Sequence, residues 1–267
     1  MGKHAASQDC AEDFILMEIK NYRLGLIVPS SNVTMETELP KMFRDRFSQI
    51  SSEHFTFHSA RMRMKHVTEE ALRAMDQDSL RCAAELADAK VDAVAYACLV
   101  AIMAMGKGYH RASQKNLTQR MVDHDTMAPV LTSAGALIDT LKFLRAKKIS
   151  MIAPYAKPLT EKVIDYLAEE GIDTVDSLSR NVTDNDAVGR LNPLDLLELA
   201  QKVKLNNADV LVLSACVQMP SLPAIALVEK RIGIPVISAA TATVFQLLRG
   251  LGLACYIPNA GSLLEGS

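Results

Sequence analysis

The sequence predicts an α/β protein made of two pseudo-symmetric, Rossmann-like domains with parallel sheets. Two observations carry this expectation. Short apolar runs of strand length alternate with longer, mixed segments of helical length, the pattern of strands joined by crossover helices. The chain is also written twice: LGLIVPSSN (24–32) parallels ISMIAPYAK (149–157), and APVLTSAGAL (128–137) parallels IPVISAATAT (234–243). Two cysteines share in the duplication, Cys98 in VDAVAYACLV (91–100) and Cys216 in ADVLVLSACVQM (208–219).

The elements follow in order. RLGLIV (23–28) reads as a strand, with residues 1–22 as an N-terminal extension. PSSN (29–32) is a turn, and Thr34 is placed to cap a helix that begins METEL. Residues 54–59 form a second strand. Thr68, followed by Glu69 and Glu70, starts a helix to about residue 90, because a side-chain oxygen and negative charge both suit the unpaired N–H groups of a first turn. A strand over 91–97 comes next, then a polar helix over 111–125, a short strand over 129–132 and a small-residue helix from Ser133.

The second half repeats the order. It has a strand at 148–153, the turn PYAK, a helix over 159–170 ended by Gly171, and a strand at 172–179. Asn192-Pro193 opens a helix to about residue 205, and 208–215 is a strand. A helix over 221–231, a strand over 234–238 and a last helix complete the unit. The strands are almost continuously apolar, as parallel strands buried on both faces are. The first domain is expected at 23–137 and the second at 138–238, with the last helix, about 239–253, packing back on the first.

Bulk composition narrows the function. The 267 residues are 49% hydrophobic and 22% charged, with a net charge of −2, which suits a globular domain with a substantial core. So balanced a chain gives no electrostatic case for nucleic acid or a membrane surface, and an anionic ligand would be held by local donors. No apolar run is long enough to span a bilayer. The opening residues lack the basic-then-apolar order of a secretory signal. The five cysteines include no C-x-x-C pair, which points to reduced thiols and a cytoplasmic location. His54 and His58 share one strand face, yet no third ligand accompanies them, so no metal site is expected. Gly106-Lys107-Gly108 matches neither a Walker A loop nor a dinucleotide fingerprint.

The candidates for chemistry gather where strands end, the edge at which open α/β sheets bind ligands. Either cysteine alone would be read as a buried packing thiol, since free Cys is among the most buried residue types. The same position in both copies favours function. A thiol at a strand's carboxyl end sits beside a helix N-terminus, which is expected to lower its pKa and supply thiolate. Cys10, Cys82 and Cys255 lack the repeat context. Asn32 in PSSN and Tyr155 in PYAK occupy equivalent turns; each could be only a turn former or a packed aromatic, but each could also donate to a carboxylate without adding charge. Ser30 and Ser31 could add donors. Asn185, in NVTDND (181–186), is a loop or cap residue on the same edge.

On these residues the chain resembles the maleate cis–trans isomerases, of the aspartate/glutamate racemase superfamily, from about Arg23 to Leu253. GLIVPSSNVTMETELP, YACLVAIMAMGKGYH, SAGAL, APYAKPLT and LSACVQMPSLPA carry the likeness. The resemblance implies a racemase-like fold of two pseudo-symmetric domains with the site between them. It implies a cofactor-free enzyme acting on maleate, a homodimer or higher homo-oligomer. It also implies roles: Cys98 as nucleophile, Cys216 as acid/base thiol, and Asn32, Tyr155 and Asn185 as substrate-binding residues. Leu99, Val100 and Val217 would line the pocket. The implied reaction adds a thiolate to the alkene, leaves a C–C single bond free to rotate, and expels the thiol to give fumarate. Three alternatives remain: a two-thiol amino-acid racemase, which would need a partner for the substrate ammonium; a one-thiol arylmalonate decarboxylase, against which both halves keep Cys; and a non-catalytic dicarboxylate-binding protein, against which the paired thiols stand.

Overall fold

A computed structural model describes residues 19–64 and 69–266. Cys10 and the helix start expected at Thr68 lie outside the described residues. The chain runs β1 (Lys20–Pro29), α1 (Met35–Phe47), β2 (Glu53–Met62), α2 (Glu69–Asp88), β3 (Ala93–Tyr96), α3 (Leu99–Met103), α4 (Tyr109–Val122), β4 (Val130–Thr132) and α5 (Ser133–Phe143). It continues β5 (Lys148–Ala153), α6 (Lys157–Glu169), β6 (Asp173–Ser179), α7 (Asn185–Gly189), a 3-10 turn (Pro193–Asp195), α8 (Leu196–Lys202), β7 (Val210–Ser214), α9 (Leu222–Ile232), β8 (Val236–Ser238), α10 (Ala239–Gly250) and α11 (Ser262–Glu265).

Two four-stranded sheets result, ordered β2-β1-β3-β4 and β6-β5-β7-β8, with every neighbouring pair parallel. The duplicated sequence thus builds the duplicated fold, an α/β architecture with two parallel sheets. Leu24, Leu26, Ile27 and Val28 of β1 are fully buried, as are Ile149, Met151 and Ile152 of β5, because helices cover both faces. Gly25 allows α2 to close on β1: a Cβ there would lie 3.1 Å from both Leu86 Cδ1 and Val91 Cγ2.

In each sheet the strand order reverses at the central pair, β1/β3 and β5/β7. A reversal leaves a crevice at the strands' carboxyl ends. The two crevices are brought face to face by contacts between the halves. Helix α10 lies along α5, where Thr243 Oγ1 donates to Ser133 Oγ at 3.1 Å and Phe245 packs on Phe143 at 4.9 Å between ring centroids. The buried guanidinium of Arg46 on α1 pairs with Glu53 at 2.7 Å and donates to the carbonyls of Ala254 and Tyr256 at 2.7 and 2.6 Å. Arg111 of α4 and Lys142 of α5 converge on Glu170, just beyond α6, at 2.7 and 2.8 Å.

Several local expectations are corrected. The first strand begins at Lys20, inside the expected extension, because Tyr22 finds a stacking partner in Phe55 of β2, 5.1 Å away. Thr34 does not cap α1. Its hydroxyl donates to the Gln218 carbonyl at 2.7 Å, and Asn32 Oδ1 instead accepts from the Met35 N–H at 3.2 Å. The helix expected over 192–205 is split: Asn192 caps a 3-10 turn through Leu194 N–H, and α8 follows. Two short helices, α3 directly after Cys98 and α7 from Asn185 near the end of NVTDND, have no counterpart among the expected elements. His54 packs edge-on against Phe47, and His58 Nε2 lies 2.9 Å from Thr56 Oγ1.

Candidate active site

The two thiols are delivered by one backbone arrangement made twice. Beyond β3, the Ala97 N–H donates to the Ile27 carbonyl of β1 at 2.8 Å; beyond β7, the Ala215 N–H donates to the Ile152 carbonyl of β5 at 2.9 Å. Each contact holds the chain extended for one more residue, and the next residue is Cys98 or Cys216. Cys98 is itself the N-cap residue of α3, with an extended backbone (φ −150°, ψ 92°).

Eight of the residues singled out from the sequence border one cavity, Asn32, Cys98, Leu99, Val100, Tyr155, Asn185, Cys216 and Val217, whereas Ser30 and Ser31 are not part of its wall. Pro29, Met64, Ala97, Val182, Thr183, Val188 and Gln218 complete its wall, and none of the fifteen side chains carries a charge. The free space inside is about 30 Å³, room for one or two waters and less than a four-carbon diacid needs. A wider groove of about 640 Å³, bordered by Pro129, Leu131, Asp139, Phe143 and Arg249, holds neither thiol.

Gln218 escaped the sequence reading although it lies in the quoted SACVQM motif. Its Oε1 accepts from the N–H groups of Val33 (3.1 Å) and Thr34 (3.4 Å), and its Nε2 donates to the carbonyls of Ser31 (2.9 Å) and Asn185 (3.0 Å). One neutral amide therefore joins the loop after Cys216 to the turn after Asn32 and to α7. Nothing in a sequence marks an amide for that task; only its place two residues after the thiol hinted at it. Asn185 is the first residue of α7 and leaves the cap to Asp184, whose carboxylate accepts from Ala187 N–H at 2.9 Å. Asn185 Nδ2 instead donates to Ser31 Oγ at 2.6 Å, across the two halves.

Burial governs the thiols. Cys98 is pushed up to about 12, chiefly by loss of solvent, against the opposing Ala101 N–H and with further upward pressure from Cys216 and Asp76. The expected fall from a helix N-terminus does not occur. The helix after Cys98 is five residues long, and its dipole loses to desolvation. Cys216 is also raised by burial, but three donors favour its ionised form: the Tyr155 hydroxyl and the N–H groups of Gln218 and Met219. The Tyr155 phenol is held well above its usual value by burial and by the neighbouring Cys216. Among the described residues no group of three His, Cys, Asp or Glu is arranged to hold a metal ion.

The site can therefore hold two thiols against one small molecule and surround it with neutral donors. A family model described as arylmalonate decarboxylase (Amdase) matches residues 24–264. A maleate isomerase from Geobacillus stearothermophilus is 56% identical over 247 residues, covering 92% of this chain and 98% of its own. A crystal structure of a cysteine-to-alanine variant of the maleate isomerase from Pseudomonas putida, with maleate, superposes with a TM-score of 0.91 at 50% identity, covering 93% of this chain and 99% of that one. A cysteine-to-serine variant of the Nocardia farcinica maleate cis–trans isomerase, with a covalently bound succinylcysteine intermediate, superposes with a TM-score of 0.89 at 41% identity, covering 93% of this chain and all of the other.

Proposed function

The chain belongs to the arylmalonate decarboxylase (Amdase) family and, within it, to the maleate isomerases, and from that membership we propose that it converts maleate into fumarate through a covalent succinyl-cysteine intermediate. The observation that carries the reading is the pair of thiols at equivalent strand ends on one cavity without charged side chains.

The chemistry follows from the double bond. Rotation about C=C requires that the π bond be removed first. In this reading Cys98 is the nucleophile and reacts as its thiolate: a sulfur lone pair forms the bond to one alkene carbon, and the carboxylate on the other carbon takes up the negative charge as the π pair moves there. Cys216 gives its proton to that second carbon. The adduct has a single C–C bond and turns. Cys216 then takes the proton back, the S–C bond breaks, and fumarate leaves. Two accessible steps replace one inaccessible rotation.

The division of roles rests on the resemblance and has physical support. While the adduct exists Cys216 is left as thiolate, and three donors are aimed at it, against one at Cys98. Asn32, Tyr155 and Asn185 are the carboxylate partners in this reading, helped by first-turn N–H groups at Leu99 and Val100 that no helical carbonyl accepts. Val217 supplies apolar wall. Neutral donors suit a dianion, whose enediolate they stabilise without holding the product as a fixed cation would. The same wall disfavours the racemase alternative, since no lining carboxylate would meet a substrate ammonium. The cavity must widen to admit a diacid.

The reading extends to organisation. We place the two lobes at about 23–137, with 239–253 packed on it, and 138–238. A chemistry needing two reduced thiols suits the cytoplasm, and the exposed Phe143, Leu194 and Leu227 offer apolar surface for a homodimer or larger homo-oligomer. No described helix is long and apolar enough to cross a membrane. Intact mass spectrometry of the Cys216→Ser variant after incubation with maleate tests the covalent step. A gain of one maleate mapped to Cys98 supports it; an unmodified chain in the presence of active wild-type enzyme removes it.

A further inference from the structure

Resting on the isomerase reading, we propose that Ser31 is a positioning residue for Asn185: its hydroxyl, reaching across from the other half of the chain, holds the Asn185 amide where it meets a substrate carboxylate. Asn185 borders the cavity and Ser31 does not, yet Asn185 Nδ2 donates to Ser31 Oγ at 2.6 Å. Ser31 therefore reaches the ligand only through its partner.

Asn185 needs a holder. It opens α7, a helix of five residues, too short to be stable by itself. The cap of that helix is supplied by Asp184, so the Asn185 side chain takes no part in it. A loose side chain samples several rotamers, and ordering it on binding costs affinity. Asn32 shows the contrast. Its Oδ1 accepts from the Met35 N–H, a group that can only donate, so the start of α1 fixes that amide and leaves Nδ2 as the end available to a ligand.

For Asn185 the fixing group is a hydroxyl, which both accepts and donates. Ser31 Oγ takes one Nδ2 hydrogen here. After a reversal of the amide it would give its own proton to Oδ1 and release both Nδ2 hydrogens. In either state Asn185 stays anchored with an N–H to spare, and a carboxylate can only accept.

The surrounding contacts keep the two residues in register. The Asn32 N–H closes the PSSN turn onto the Pro29 carbonyl at 2.8 Å, and the Ser30 N–H donates to the Met62 carbonyl at 2.7 Å. Gln218 Nε2 donates to the carbonyls of Ser31 and Asn185 at 2.9 and 3.0 Å. Ser31 and Asn185 are thus joined twice, by their main chains through Gln218 and directly by their side chains. Gly189 lets α7 come this close: a Cβ there would lie 2.6 Å from Gln218 Nε2 and 3.5 Å from Val33 Cγ2. With the main chains fixed by Gln218, the bond between Ser31 and Asn185 decides where the amide points. Loss of the hydroxyl leaves the Gln218 bridge in place, which separates positioning from folding.

In this reading Asn185 meets a carboxylate and not the carbons that react. Misplacing it weakens ground state and transition state alike, which raises KM and leaves kcat nearly unchanged.

A double-mutant cycle of Ser31→Ala and Asn185→Ala, read in maleate kinetics and thermal melts, tests the proposal. Ser31→Ala should raise KM roughly tenfold, hold kcat within about threefold and shift the melting temperature by no more than about 4 °C. Asn185→Ala should raise KM at least as much, and adding Ser31→Ala to it should change nothing further, because Ser31 has no other route to the ligand. The same factor for Ser31→Ala in both backgrounds would mean that Ser31 acts through the turn or on the substrate itself; that result, or an unchanged KM in Ser31→Ala alone, overturns the proposal. A wild type that binds maleate without converting it overturns the isomerase reading instead, and the same cycle in calorimetric Kd values for maleate still judges Ser31. A wild type that does not bind maleate overturns both.

Discussion

Cys98 and Cys216 are held by equivalent contacts: the residue before each donates its N–H to an isoleucine of the neighbouring central strand, Ala97 to Ile27 and Ala215 to Ile152. Each half alone exposes one thiol at the end of one crevice. Facing the crevices puts both thiols on one wall-enclosed space, and acid/base chemistry at one carbon with covalent chemistry at the next requires both.

Cys98→Ala should abolish turnover of maleate. Cys216→Ser should cut it by roughly 10²- to 10⁴-fold, the usual worth of a positioned acid/base group. A coupled assay following fumarate checks both, and near-normal rates in either variant contradict the assigned roles.

Asn32→Asp should separate binding from folding. An Asp at this position still accepts from the Met35 N–H, so the start of α1 is preserved and the melting temperature should move little. The new carboxylate faces a dianion, and kcat/KM should fall by roughly 100-fold, with most of the change in KM. Steady-state kinetics beside a thermal melt would show it.

Gln218→Ala should destabilise the fold by about 2–4 kcal/mol, because it leaves the Val33 and Thr34 N–H groups and the Ser31 and Asn185 carbonyls without their partner. Urea denaturation measures it. A loss near zero would mean that water replaces the amide and that the two halves do not depend on it.

Glu38 makes stability depend on pH. Its Oε1 accepts from the N–H groups of Ser221 and Leu222 at 2.6 and 2.7 Å, joining α1 to the start of α9, while burial pushes the carboxyl up to about 7. A folded pKa above the unfolded one means that folding favours the bound proton. The contribution is whole below the unfolded value and is lost as pH rises through about 7, by on the order of 3 kcal/mol. Urea midpoints at about pH 5 and about pH 8 should differ in the wild type and converge in Glu38→Gln. Equal wild-type midpoints would contradict the account.

The parallel sheets were legible because buried strands such as LGLIV and VLVLS are apolar without interruption and recur in register with their turns. The cavity was legible in its thiols, in Asn32 and in Tyr155 because duplication marks positions that single residues do not. What the sequence hid depends on the other half of the chain. Thr34 looks like a cap until Gln218 offers its carbonyl, and Asn185 looks like a cap until Ser31 comes within 2.6 Å. The pKa of Cys98 was misjudged for the same reason: a helix start is local and visible, whereas the burial that outweighs it comes from elements distant in sequence.

The central claim is tested most directly by proton NMR of the reduced protein with maleate, and separately with L-aspartate in heavy water. The account predicts that the vinyl signal of maleate gives way to that of fumarate without added metal or cofactor, while aspartate keeps its α-proton. Unchanged maleate together with deuterium entering aspartate would contradict it and recast Cys98 and Cys216 as the paired acid and base of a racemase.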